Sequence, residues 1–473
     1  MMFVAFAAAT AYAFAQSTRK VSLDTPQAAP NAAFLKAADE VLADMSKLLS
    51  LPIRQPLKRS VRTKSEIRSY LVRNMHEDQD SKKLHADVRA MEMLGLLPKN
   101  YPLEQTLIDL LTQQIAGVYD SKGREFFISA ATEPGEQRVV MAHELTHALE
   151  DQNFHIERWA KEAKSNDDAE FARNAVLEGS AMAGMMDYLL HQNGGTFADL
   201  AKVDPSLLIG DVDASPELNG VPLVIKDQLL FPYLSGSSFS VKVLQAHGGW
   251  TGLRTIFEKP PVSTQQIMHP DLYLRDVRPD VVSMPGLDGV VPKGWKKLDE
   301  NVMGEFGMNQ VLKQFLGKRI ADELAALWTG DRYAVFEESP QGSAMLLLRL
   351  RLAGNEEATQ FFDGYSELLN RRFPDRNSIT RRDHSIFVMM PEGNAFIRCV
   401  WRECVLGNGL TPGQYDALGR ALGWPVEPPP NLPVPRMSAL AELRIPPRPL
   451  AETRVRAVLT ARLDNLSQAV ATR

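Results

Sequence analysis

The stretch His143-Glu144-Leu145-Thr146-His147 offers two imidazoles and a carboxylate at a spacing suited to one divalent metal ion. Residues four apart on a helix leave the same face, so both imidazoles can reach one ion if the segment is helical. The apolar residues Val140, Leu145, Ala148 and Leu149 recur at helical spacing and predict that it is. Glu144 stands beside the first histidine, where its carboxylate can reach a metal-bound water without binding the metal; this is the place of a general base. With 9 histidines in 473 residues, a chance match is roughly a one in a hundred event. The metal reading therefore outweighs two solvated histidines on an amphipathic helix.

A catalytic metal of this kind needs a third protein ligand and one open position. Glu178 is the candidate. The pattern from Asp167 to Gln192 is helical, and Phe171, Ala175, Met182, Met185 and Leu189 form an apolar stripe in which Glu178 falls. A carboxylate there costs several kcal/mol unless it is paired or metal-bound; the alternative to a ligand is a core pair with an arginine such as Arg173. The small residues Gly179, Ser180, Ala181, Ala183 and Gly184 would let the two helices approach closely enough to share an ion. For a group that stabilises a developing oxyanion, the candidates are His269, Tyr273 and Tyr233. His269 sits in a stretch bounded by Pro260-Pro261 and Pro270, which could project it into a cleft. His155, His191, His247 and His384 have no partner motif and are read as structural.

These motifs resemble the active-site helix of thermolysin-like gluzincins, a class of zinc metallopeptidases. His143 to Leu149 with Asp151 matches that helix, and Leu177-Glu178-Gly179-Ser180-Ala181 fits the position of the third ligand. More broadly the chain resembles a group of uncharacterised bacterial proteins with the same helix and the same Glu-Gly-x-Ala segment. They also share stretches like FPYLSGSSF, GGW, PPVSTQQIMHP and GDRYAVFE, over most of residues 100–340. The resemblance implies a zincin-like fold, Zn2+ as cofactor, and hydrolysis of a peptide or protein substrate with Glu144 as base. Where thermolysin has an aspartate four residues beyond its third ligand, this chain has Met182, so the groups that steady the ligands must differ; Asp151 and Asn174 are the candidates. The edge strand that holds substrate in zincins is expected in Gly123 to Ser129, GREFFIS. A catalytically inactive scaffold binding a cell-envelope partner, or a metal-dependent amidohydrolase on a non-protein substrate, remains the alternative.

The elements that must position these residues point to an α+β class. Residues 16–99 read as an N-terminal helical region that could be propeptide, lid or part of the fold. A mainly helical catalytic domain with a small edge sheet is expected over 100–330. It includes a hairpin with strands at Val118-Tyr119 and Phe126–Ile128 and helices over 136–153 and 167–192. Residues 331–424 alternate strand-like runs (YAVFE, AMLLLRLRL, HSIFVMM, AFIRCVW) with two helices, an α+β module. Residues 425–473 read as a proline-rich linker and an amphipathic helix.

The net charge is −5 and the basic residues are scattered, which leaves no electrostatic footprint for nucleic acid. Residues 1–15 form an Ala-rich apolar run ending Ala13-Phe14-Ala15 and are read as a secretory signal cleaved before Gln16, hence an exported bacterial protein. That run is too short to span a bilayer, and no other stretch is apolar enough, so no membrane span is expected in the mature chain. The two cysteines, Cys399 and Cys404, flank a tight hairpin; a bridge and two buried thiols are both open.

Overall fold

The computed structural model describes residues 32–425, apart from 79–80, 164, 205–217, 219, 375–377, 383 and 391–392. The signal segment at 1–15 and, beyond Pro425, the linker and terminal helix lie outside the described residues.

The N-terminal region is part of the fold. Helix α1 (Ala32–Leu48) buries Phe34, Ala38, Val41, Leu42 and Met45 along one face. Strand β1 (Lys58–Arg62), helices α2 (Lys64–Asp78), α3 (Ser81–Leu94) and α4 (Leu103–Gln114), and the hairpin β2 (Gly117–Asp120) and β3 (Glu125–Ser129) follow. The hairpin pairs Tyr119 with Phe126, as its apolar alternation predicts. β1 then adds in parallel to the other side of β3, giving the order β1-β3-β2. The expectation for GREFFIS is thereby corrected: β3 is the central strand, paired on both sides, and has no open edge to receive a substrate.

Helix α5 (Pro134–Phe154) starts with proline at its first turn, where the missing N–H costs nothing, and ends as His155 turns left-handed at φ 56°. Every residue from Val140 to Glu150 is buried. After the short α6 (Ile156–Lys161), α7 (Asp167–Gln192) begins with the Asn166 side chain accepting from Ala169 N–H, and with Asp167, Asp168 and Glu170 in its first turn, all favourable at a positive helix end. Helix α8 (Leu223–Ala246), with Pro232 inside it, lies against α7 at backbone contact. A Cβ on Gly179 would stand 2.1 Å from the Gly236 carbonyl carbon, and one on Gly236 would stand 2.0 Å from the Ala175 oxygen. On its other side α7 meets α5 and α1, with Gly184 beneath Thr146, Met45 and Leu49.

The short α9 (Leu253–Glu258) precedes the stretch from Pro260 to Pro270, which carries α10 (Thr264–Met268), and α11 (Pro270–Leu274) starts at its end. Then come β4 (Lys296–Asn301), α12 (Gly304–Leu316), α13 (Lys318–Ala325), β5 (Trp328–Glu337), β6 (Ala344–Leu352), α14 (Asn355–Arg372) and β7 (Ser378–Arg382). Strands β8 (Ser385–Met389), β9 (Asn394–Val400) and β10 (Glu403–Leu410) and helix α15 (Pro412–Ala421) complete the described fold. The strands form a seven-stranded antiparallel sheet in the order β4-β5-β6-β10-β9-β8-β7. Alternate residues serve two cores: Tyr333, Val335, Leu346 and Leu348 face the main one, and Ala334, Phe336, Met345 and Leu347 a smaller one with Leu418. The molecule is therefore α+β. The expected boundary between 330 and 331 falls inside β5. The described residues do not split at 99 or 330: Phe34, Phe171, Tyr333 and Leu406 share one core. Cys399 and Cys404 oppose each other across β9 and β10 and are bridged. No described helix is long and apolar enough to cross a membrane.

Candidate metal centre

The two long helices bring the three expected ligands together. His143 and His147 Nε2 are 3.2 Å apart, and Glu178 Oε2 lies 3.3 Å from the first and 3.6 Å from the second. Three ligands about 2.0–2.1 Å from a tetrahedral zinc ion stand roughly 3.3 Å from one another, so the triangle matches that coordination. His143 and His147 are 1% exposed and Glu178 is 2% exposed. Among the described residues neither Glu178 oxygen has a hydrogen-bond partner. Arg173, the alternative partner, is engaged with Glu162 and the Trp159 carbonyl instead. A buried carboxylate with no donor, facing two imidazole nitrogens, is the arrangement a cation satisfies. Burial alone would raise the Glu178 pKa, but the imidazoles of His143 and His147 hold it down to about 2. Burial likewise disfavours a charged His147, and the Glu150 and Glu178 carboxylates outweigh it and raise its pKa.

Glu144, 1% exposed, is placed by the small sheet: the Tyr119 N–H of β2 donates to its Oε2 at 2.8 Å. The Tyr119 hydroxyl donates to Asp151 at 2.8 Å, two turns further along α5. Gly117 permits this close approach, because a Cβ there would meet Val140 at 2.6 Å. Asp151 thus ties β2 to α5, and the group beside a ligand histidine is Glu150, whose Oε2 lies 3.5 Å from His147 Nδ1. The Ser180 hydroxyl lies 2.5 Å from Glu150 Oε1. Asn174 is buried on α7, one turn before Glu178. Of the two residues expected to steady the ligands, Asp151 holds the Tyr119 hydroxyl. His143, His147, Glu150 and Asp151 all recur on one face of α5, so helical spacing pointed to the face and could not choose between the two acids.

The oxyanion candidates also separate. His269 Nε2 lies 2.7 Å from Glu305 Oε1, and the Tyr273 hydroxyl donates to the Lys259 carbonyl at 2.8 Å. Glu305 and the Lys259 carbonyl are thus their partners. Tyr233, buried on α8, is the candidate that lies beside it, its ring stacked against His143 with centroids 6.1 Å apart.

The stretches PPVSTQQIMHP and GDRYAVFE brace α7. Thr264 donates from its backbone N–H to Asp168 at 3.0 Å, and Asp331 receives the Met303 and Gly304 N–H groups and the Trp328 indole, each at 2.8 Å. Lys83 joins Asp87, Asp167 and Asp299 at 3.0, 2.8 and 2.7 Å, and the Tyr333 hydroxyl also reaches Asp167 and Asp299. Burial pushes the Asp168 carboxyl up to about 7 despite the Thr264 bonds.

The fold and site together define an α+β protein with a buried cluster of two histidines and one glutamate. A family model described as Domain of unknown function (DUF8575) matches residues 293–405. That span covers β4 to the start of β10 and contains none of the cluster residues. No curated protein and no solved structure matches the chain.

Proposed function

We propose that the protein is a zinc-dependent hydrolase of peptide bonds, with His143, His147 and Glu178 as metal ligands and Glu144 as general base. The observation that carries this is the 3.2, 3.3 and 3.6 Å triangle of ligand atoms. When bound, zinc supplies the Lewis acidity that activates a water and polarises a carbonyl. Glu144 takes the proton of the attacking water and returns it to the leaving nitrogen. Its carboxylate is fixed for this by the Tyr119 N–H, and its burial excludes bulk water from the exchange. Tyr233, stacked on His143, is the aromatic neighbour from which stabilisation of the oxyanion is expected. Export is part of the same proposal, supported by the Cys399–Cys404 bridge, since such bonds persist in oxidising compartments.

One observation favours a second reading. The ligands and Glu144 are at most 2% exposed, so a polypeptide reaches them only if the surrounding helices move. A metal-binding scaffold without catalysis would need no such movement.

Elemental analysis and cleavage of a quenched casein substrate, on wild type, Glu178→Ala and Glu144→Gln, test the proposal. The expected result is one zinc per chain with hydrolysis in the wild type, neither in Glu178→Ala, and zinc without hydrolysis in Glu144→Gln. Zinc retained in Glu178→Ala moves the third ligand elsewhere, and full hydrolysis by Glu144→Gln removes its role. Zinc without any wild-type hydrolysis selects the scaffold or a non-protein amide substrate.

A further inference from the structure

We propose that Glu150 and Ser180 form a clamp that orients His147 for the metal and fixes the two ligand helices at the distance the site requires. Glu150 lies on α5 one turn beyond His147, and Ser180 lies on α7 two residues beyond Glu178, so each helix contributes one ligand neighbour to the clamp. The inference rests on the metal-centre reading above and adds positioning residues to it.

Glu150 is fully buried, a costly place for a carboxyl group without a purpose. Its Oε1 lies 2.5 Å from the Ser180 hydroxyl, and its Oε2 lies 3.5 Å from His147 Nδ1. Among the described residues neither Glu150 Oε2 nor His147 Nδ1 has a hydrogen-bond partner, so each is the polar atom nearest to satisfying the other. The gap is a few tenths of an ångström beyond an ordinary N–H···O bond. An acceptor at Nδ1 places the imidazole proton on that nitrogen and leaves the Nε2 lone pair for the ion. This is the nitrogen that stands 3.2 Å from His143 Nε2.

Because Ser180 sits on the helix that bears Glu178, the clamp also couples the orientation of His147 to the position of the third ligand. The backbone contact of Gly179 with Gly236 holds the other face of the same turn.

The test is zinc affinity of the whole chain by chelator competition, for wild type, Glu150→Gln, Ser180→Ala and His147→Ala. It is read beside the melting temperature of each metal-free protein and the visible ligand-field bands of the cobalt(II)-loaded protein. Glu150→Gln is expected to weaken zinc binding about 10–100-fold, the range found for partners of metal-bound histidines. It should shift the cobalt bands without lowering the metal-free melting temperature. Ser180→Ala should weaken binding in the same direction by a smaller factor, and it carries the test should Glu150→Gln not fold. Affinity and cobalt bands unchanged in both variants, while His147→Ala loses the metal, overturn the clamp and leave the metal centre standing. A wild type that binds no zinc overturns the metal centre and the clamp with it.

Discussion

A single methyl group on Gly179 should damage both the fold and the site. In Gly179→Ala the new Cβ would stand 2.1 Å from the Gly236 carbonyl carbon. That is about 1.3 Å closer than ordinary van der Waals contact, and the obstacle is helix backbone with no side chain that could rotate away. Helices α7 and α8 must therefore separate. Overpacking of this kind costs about 1–3 kcal/mol, and a clash against backbone belongs at the upper end. At roughly 2–4 °C per kcal/mol for a large domain, the melting temperature should drop by about 6–12 °C. Glu178 is the preceding residue, and a shift of about 1 Å exceeds the roughly 0.5 Å within which a preorganised site tolerates displacement. The proposed hydrolysis should fall on the order of 10²-fold, with weaker binding of the proposed zinc. Thermal unfolding followed by circular dichroism, with zinc competition on the same samples, measures both. A Gly179→Ala protein with wild-type melting temperature and zinc affinity would refute the claim that these helices meet backbone to backbone and that the contact sets the position of Glu178.

Lys83→Met leaves Asp87, Asp167 and Asp299 facing one another; since the Lys83 side chain is 36% exposed, solvent screening reduces the expected loss to about 2 kcal/mol, measured by urea unfolding. A loss within error of zero would mean that the node does not brace α7. Asp168 titrates near 7 when folded and about 4 when unfolded, so the folded state binds the extra proton between these values and stability falls as pH rises across that window. Asp168→Asn should flatten this fall in urea midpoints compared at pH 4.5 and 7.5, and an unchanged slope would assign it to other groups. The Glu305 bond raises the His269 pKa against the opposing effect of burial, so the pair's contribution is complete below the ordinary imidazole value and lost as pH rises through the raised one. His269→Gln should lower stability on the acid side while leaving casein hydrolysis within about threefold; a loss of the 10²-fold or more expected of a catalytic acid or base would return His269 to the site.

The legible part of this protein was what short-range chemistry dictates. Helical spacing placed His143 and His147 on one face with Glu144 beside the first, the cost of a carboxylate in an apolar stripe singled out Glu178, and the alternation of Val118, Tyr119, Phe126 and Ile128 marked the hairpin. The observed α7 spans the expected 167–192. The strand-like runs after 331 likewise lie in the antiparallel sheet, because alternation is a local signal. Pairing across the chain carries no such local mark. That β1 closes β3 on its second side, that β5 runs through the expected domain boundary, and that Asp331 anchors the start of α12 depend on segments far apart in sequence. The choice of Glu150 over Asp151 beside His147 depended on which turn of α7 faces α5. The engagement of His269 and Tyr273 depended on Glu305 and Lys259 arriving beside them. By itself the sequence determined which groups are candidates for holding a metal and which faces of helices carry them; only the tertiary structure decided what those groups touch. The reason is that periodicity sets a side chain's direction, whereas its partner is set by how separate elements pack.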